Sequence, residues 1–326
     1  MPSTRSLVTG GAGFIGSHVV RRLLELGHDV RVVDNLITGF RQNLDEIADR
    51  IDFRVADIRD RRSCAEAVEG VETIFHVAAL PSVPRSMADP IGTHETNVNG
   101  TLNLLEAGRH AGVRRFVYSS SSSAYGDTPA LPKIESMEPL PRSPYAAAKL
   151  SGELYTLAYA RAGLIEGVAL RYFNVFGPRQ DPNGPYAAIV PLLFRAAITG
   201  SPVTIFGDGG QTRDFTFVEN AVDANLLAAQ RDAVRVSGHV VNVGAGVRTS
   251  LLELVEMVQD IAGTRITVLH AADRPGDIRD SQAGLARAES VLGYQPGIDV
   301  REGIRRLWAW YAANPRALET VPASTS

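Results

Sequence analysis

Apolar positions in the first half of the chain follow two alternating patterns. Short continuous runs appear at SLVTG (6–10), DVRVVD (29–34), DFRVAD (52–57), TIFHVAA (73–79), RFVYSSS (115–121) and EGVALRYFN (166–174). Between them lie longer stretches with helical spacing: SHVVRRLLELG (17–27), RSCAEAVEG (62–70), HETNVNGTLNLLEAGRHAG (94–112) and YAAAKLSGELYTLAYARAG (145–163). Strands apolar on both faces belong to a sheet covered on both sides. Their alternation with helices predicts an α/β fold with a doubly wound parallel sheet. The rhythm breaks after Asn174, where GPRQDPNGPYAA (177–188) reads as loop. The expected organisation is a nucleotide-binding domain over 1–174 and a smaller mixed α/β substrate-binding region over 175–320. Residues of roughly 215–245, with the late strand HVVNVG (239–244), return to the first domain, and 321–326 form a flexible tail.

Composition narrows the function. The 326 residues are 44% hydrophobic with a net charge of −3, which gives no reason to expect a nucleic-acid or anionic-membrane partner. One cysteine, Cys64, excludes an intramolecular disulfide and a thiolate metal cluster, and no metal site is expected. No apolar run approaches the ~18 residues of a membrane span, and MPSTRS is too short and polar for a signal peptide. A cytoplasmic protein is the expectation.

Glycine destabilises regular structure, yet LVTGGAGFIGSH (7–18) holds Gly10, Gly11, Gly13 and Gly16 between the first strand and the first helix. Gly10, Gly13 and Gly16 make G-x-x-G-x-x-G, the dinucleotide fingerprint of a Rossmann fold: a tight turn, close approach of a pyrophosphate, and close packing of helix on sheet. The helix start supplies N–H groups and positive dipole to the phosphates. Asp34 ends the second strand about 20 residues on, where an acid holds the ribose hydroxyls. Its charge repels a 2′-phosphate, so NAD is expected over NADP, with Arg41 the residue that would counter the repulsion. Asp57 and Ile58, after the third strand, are placed to flank the adenine.

SPYAAAK (143–149) supplies the chemistry. Ser143 reads as an N-cap and Pro144 as the first helical position, which puts Tyr145 and Lys149 at i and i+4 on one face. A free tyrosine has a pKa near 10 and is a weak base at neutral pH. A neighbouring ammonium favours the phenolate and turns it into a usable proton acceptor.

Taken together, TGGAGFIGS, HVAAL, SSSSSAYGD, SPYAAAK, RYFNVFGPRQDPNG and GDGGQTRDF resemble the extended short-chain dehydrogenase/reductase family over nearly the whole chain. Within it, the chain is similar to the nucleotide-sugar 4-epimerases of the UDP-glucose and UDP-N-acetylglucosamine type. The resemblance implies tightly bound NAD and a catalytic set of Ser121, Tyr145 and Lys149. Ser121 is selected because it lies four residues before the tyrosine of the YG pair, Tyr125. It implies a cofactor shell of Gly10, Gly13, Phe14, Ile15, Gly16, Asp34, Asn35, Asp57, Ile58, Ala78, Ala79 and Asn97, joined by Tyr145 and Lys149. Arg213 and Arg274 are expected on the UDP diphosphate, since a guanidinium donates two parallel bonds to phosphate. Ser122, Ser123 and Asn174 are expected against the sugar, Phe206 in the uridine pocket and Asp277 near the ribose. The reaction the resemblance implies has Tyr145 take the proton of the 4-hydroxyl, carbon 4 give hydride to NAD, and hydride return to the other face of a 4-keto sugar. A homodimer through the helices around 94–110 and 145–161 also follows from the resemblance.

The sugar is less determined. A large residue after the GD of GDIRDSQAG would exclude an N-acetyl group at carbon 2, and the matching residue here is the small Ser281. That favours UDP-N-acetylglucosamine and UDP-N-acetylgalactosamine, with UDP-glucose and UDP-galactose still admitted. Pro81 stands where classical UDP-galactose epimerases carry a lysine, which also points to another branch. Arg85 reads either as a partner for a uronate carboxylate, which keeps UDP-glucuronate in play, or as a solvated loop arginine. A nucleotide-sugar 4,6-dehydratase needs an acid pair after the catalytic serine, and Ser122 and Ser123 stand there instead. A non-catalytic NAD-binding protein is the remaining alternative.

Overall fold

The computed structural model describes residues 5–183, 187–272 and 278–318. Seven parallel strands form one sheet: β1 (Arg5–Thr9), β2 (Asp29–Asp34), β3 (Ile51–Val55), β4 (Thr73–His76), β5 (Arg115–Ser121), β6 (Glu166–Tyr172) and β7 (Val240–Val243). Their order is β7-β6-β5-β4-β1-β2-β3, so the winding direction reverses between β1 and β4. In open parallel sheets a ligand crevice opens at such a reversal, beyond the carboxyl ends of the strands. The apolar runs are strands for the expected reason: Leu7, Val8, Val30, Val32, Phe75, Phe116, Val117 and Val168 are buried under helices on both faces.

One face is covered by the Phe14–Glu25 and Val218–Gln230 helices, the other by Arg61–Ala67, Gly100–Ala111 and Pro144–Arg161. Beyond β6 the chain builds a second layer. The Ile189–Thr199, Leu251–Ala262 and Val300–Ala313 helices pack around a parallel pair, Val203–Phe206 with Val268–Ala271. Two short pairings, Val175–Phe176 with Thr216–Phe217 and Thr212–Arg213 with Thr249–Ser250, set this layer over the strand ends. Between the two layers the chain crosses back, because Val240–Val243 closes the sheet edge beside β6. Among the described residues no helix is long and apolar enough to cross a membrane, and no group of three or more His, Cys, Asp or Glu is arranged to hold a metal ion.

Candidate active site

The glycine loop leaves β1 and turns into the Phe14–Glu25 helix. Gly10 has φ +70°, and a Cβ there would lie 2.7 Å from the Ala78 backbone. A Cβ on Gly16 would lie 2.1 Å from the Gly10 carbonyl, so only glycine lets the helix start this close to the loop. Gly13 is the N-cap and provides no side-chain cap, which leaves the first N–H groups of the helix open to an anion. Asp34 follows at the end of β2. Its carboxylate accepts from Ala12 N (3.0 Å) and Leu36 N (2.8 Å). Burial raises its pKa, against the pull of those N–H groups. Asn35 donates to Asp57 (2.9 Å), and the Arg59 side chain beside it holds Asp57 at a pKa of about 2. Ile58 is buried, pressed under Gly100.

On the other side of the reversal, Thr9, His76 and Thr101 form a directed chain. Thr101 Oγ1 donates to Asn97 O (2.8 Å), so it accepts from His76 Nε2 (2.9 Å). His76 Nδ1 then accepts from Thr9 Oγ1 (2.7 Å), which in turn accepts from Ala78 N (3.3 Å). Burial, reinforced by Lys149, lowers the His76 pKa to about 3, so the ring is neutral as this chain requires. Asn97 lies inside the helical run and is not an N-cap. Its amide accepts from Leu80 N (2.8 Å) and donates to Leu80 O (3.1 Å), fixing the segment that holds Ala78 and Ala79. Through these two bonds Asn97 holds the loop, a role beside the cofactor contact expected of it.

Ser143 caps the Pro144–Arg161 helix by accepting from Ala146 N (3.1 Å), with proline at the first position. Tyr145 and Lys149 then share its inner face. Lys149 is 3% exposed, with Nζ 4.6 Å from the centroid of the Tyr118 ring. Burial lowers its pKa to about 7, opposed by Glu153. Burial raises the pKa of Tyr145, opposed by a hydrogen bond with Ser121. Ser121 ends β5, and its Oγ accepts from Ser123 N (3.2 Å) and Ser123 Oγ (2.9 Å).

These elements surround one cavity of about 460 Å3. Phe14 and Ile15 line it from the glycine-loop helix, Ser121, Ser122, Ser123 and Tyr145 from the middle, and Asn174, Arg213 and Ser281 from the second layer. Ser281 N donates to Thr212 O (3.1 Å), and its buried Oγ has no hydrogen-bond partner among the described residues. Arg213 Nη1 donates to Thr212 O and Arg279 O (2.9 and 3.1 Å). Arg85 belongs to the Val83–Ala88 helix, whose first residues, Val83 and Pro84, reach the cavity wall. Phe206 ends its strand half-buried and away from the described cavity wall. Arg274 and Asp277 lie outside the described residues.

Sequence reasoning missed Glu153, Arg171, His76, Tyr118 and Lys133. Glu153 had a usable signal, its place one turn beyond Lys149 on the same helical face. Lys133 had none. It reaches the cavity wall because its strand-like segment pairs beside Ala283, and it donates to Thr128 Oγ1 (2.7 Å).

A family model described as the NAD dependent epimerase/dehydratase family matches residues 6–244. The UDP-glucose 4-epimerase of Mycolicibacterium smegmatis is 42% identical over 306 residues, covering 93% of this chain and 96% of that one. The UDP-N-acetylglucosamine 4-epimerase of Methanobrevibacter ruminantium M1, solved with UDP-N-acetylmuramic acid, is 37% identical with a TM-score of 0.90, covering 96% of this chain and 100% of that one. The UDP-glucose 4-epimerase of Thermotoga maritima, solved with UDP-glucose, is also 37% identical, with a TM-score of 0.91 and the same coverage.

Proposed function

Because the chain belongs to the NAD-dependent epimerase/dehydratase family, we propose that it inverts carbon 4 of a UDP-hexose, with UDP-N-acetylglucosamine and UDP-N-acetylgalactosamine its main pair and UDP-glucose and UDP-galactose a secondary one. The observation that carries this reading is the convergence of Ser121, Tyr145 and the open Phe14–Ile15 helix start on one cavity. The cofactor of the family is NAD, and the residues present fit it: an uncapped helix start, a cradle that a Cβ would fill, and a buried carboxylate at the end of β2. In this reading the glycine loop takes the pyrophosphate, Asp34 the ribose hydroxyls, Asp57 and Ile58 the adenine side, and Ala78 and Ala79 the nicotinamide side. When bound, NAD supplies the hydride chemistry, oxidising carbon 4 to the ketone and reducing it from the other face without net redox.

The protein's own residues handle the proton. Tyr145 Oη takes it from the 4-hydroxyl and gives it back. Lys149 supports the phenolate, which burial alone disfavours. Ser121 Oγ hydrogen-bonds the same sugar oxygen and orients it. Arg213 holds the diphosphate, joined by Arg274, and the Ser281 hydroxyl, unpaired among the described residues, faces the sugar. With serines at 122 and 123, no carboxylate follows Ser121 to eliminate water across carbons 5 and 6, which disfavours a dehydratase. The exposed apolar residues Met87, Ile91, Leu154 and Tyr155, on the helices of the dimer expectation and beside them, support a homodimer.

The test is incubation of purified protein, without added NAD, with UDP-N-acetylglucosamine, UDP-glucose and UDP-glucuronate, products being resolved by anion exchange and proton NMR. The expected products are 4-epimers, fastest from UDP-N-acetylglucosamine, with Tyr145→Phe lowering turnover by about 100-fold or more. A 4-keto-6-deoxy sugar would return the dehydratase. Retained NAD with no product from any of the three would favour a non-catalytic binding protein.

A further inference from the structure

The helix that carries Tyr145 and Lys149 places Glu153 one turn further along the same face. Glu153 is 1% exposed, and its partner Arg171, on β6, is 2% exposed. Two parallel bonds join them, Nε to Oε2 at 2.9 Å and Nη2 to Oε1 at 2.6 Å. Ser120 Oγ donates to the same Oε2 at 2.7 Å. Ser120 and Arg171 are register partners on adjacent strands, so neighbouring positions of the sheet fix one carboxylate on the helix. The guanidinium is set in turn by the Tyr125 ring, 4.5 Å away. A hydrogen-bonded, bidentate buried pair is rigid and fixes where its carboxylate sits.

Lys149 needs such a neighbour. Its surroundings are the Tyr118 ring from β5, the neutral His76 from β4, and Tyr145 and Glu153 from its own helix. Burial removes water from the ammonium, and Glu153 is the charge that opposes this. Arg171 and Ser120 occupy the Glu153 oxygens, so the carboxylate acts on Lys149 through its field, while Lys149 Nζ lies over the Tyr118 ring. We propose that Glu153, clamped by Arg171 and Ser120, is a positioning residue that keeps the buried Lys149 ammonium charged and aimed at Tyr145. The proposal rests on the catalytic reading of Tyr145 given above. A plain helix-to-sheet staple would use the same bonds but would leave the ionisation of Tyr145 untouched.

The experiment uses NAD-bound protein. Tyrosinate absorbance is titrated for the wild type, Glu153→Gln and the charge-neutral pair Glu153→Gln/Arg171→Gln. Each is compared with its Tyr145→Phe counterpart, so that the difference reports Tyr145. The pH dependence of kcat/KM is measured alongside. Removing the carboxylate lets Lys149 lose its proton more readily. The Tyr145 titration and the acid limb of kcat/KM then move to higher pH together, by about one unit. That is about a tenfold loss of turnover on the acid side, with KM little changed. In a Lys149→Met background, Glu153→Gln leaves the Tyr145 titration where it was. The pair variant keeps the test open should the unpaired Arg171 prevent folding. An unshifted Tyr145 titration in folded, NAD-bound variants would overturn the proposal, as would an equal upward shift in the Lys149→Met background. Turnover surviving Tyr145→Phe would sink the underlying reading, and this proposal with it.

Discussion

Two clusters at opposite ends of the parallel sheet handle charge differently. At the amino end, cations are paired with carboxylates and backbone carbonyls. Arg5 Nε donates to Asp29 at 2.7 Å. Arg115, 0% exposed, donates to Glu166 through Nε and Nη2 (3.0 and 2.9 Å), to Arg231 O (2.9 Å) and to Ala228 O. Arg114 bridges Glu166 and Glu72 beside it. At the carboxyl end, burial pushes Asp34, His76, Tyr145 and Lys149 away from their charged forms. Satisfied charges hold strands together and have no further chemistry to offer. Charges kept under strain are available to a ligand, and perturbed groups of this kind cluster at functional sites.

The contrast is sharpest when one cation is removed from each end. Arg115→Leu leaves Ala228 O and Arg231 O without their donor and removes two of the N–H groups that converge on Glu166 Oε2. The expected loss is about 3–5 kcal/mol of stability, read by urea denaturation, with the pH profile of the surviving turnover unchanged. Lys149→Met acts in the other direction. It abolishes measurable turnover yet raises stability, by on the order of 2 kcal/mol near neutral pH. That is less than the full ionisation cost, because Glu153 loses its neighbouring cation. The sign follows from proton counts. With a folded pKa of about 7 and an ordinary value of 10.5, the unfolded chain binds more protons between those limits, so wild-type stability rises with pH there. The penalty is complete below about pH 7 and gone above about 10.5. The advantage of Lys149→Met should therefore shrink across that window, and a gap independent of pH would show that Lys149 is not strained.

How much of this was legible in the sequence follows the same division. The glycine spacing, Asp34 and the Ser143–Pro144 start of the helix are local signals, and each predicted a feature of backbone that the fold contains. The strand ends beside the cavity were readable because strand–helix alternation sends all of them to one edge. The loop-holding role of Asn97 was not legible, because its partner, Leu80, is joined to it through tertiary packing and no local pattern announces a backbone clamp. Arg171 is one more residue of an apolar strand until the register sets it opposite Ser120 and beneath Glu153. Phe206 was drawn toward the uridine by its motif, while the pairing of its strand with Val268–Ala271 is a long-range partnership that no local pattern shows.

The smallest expected effect concerns the sugar side, where the wall is made of loops and of small side chains. Ser281 is 7% exposed and its hydroxyl is unpaired among the described residues. It is held at the cavity by its N–H on Thr212 O and by the neighbouring Ala283 N–H on Asp214 (2.9 Å), whose carboxylate also accepts from Ala245 and Gly246. A larger side chain there has little room to swing aside, since its backbone is tied on both sides. Ser281→Tyr should therefore fill the space beside carbon 2 and lower kcat/KM for UDP-N-acetylglucosamine by about 10- to 100-fold relative to UDP-glucose, the range that shape exclusion alone supplies. Overpacking should cost about 1–3 kcal/mol of stability, while NAD retention stays within error, because Ser281 belongs to the second-layer wall and not to the glycine loop. Parallel kinetics on the two substrates decide the matter. Equal losses on both would mean that Ser281 shapes the nucleotide side of the cavity. A loss confined to the N-acetyl substrate would mark the loop wall as the part of the site that selects the sugar, beside a sheet edge that performs the same proton chemistry on either one.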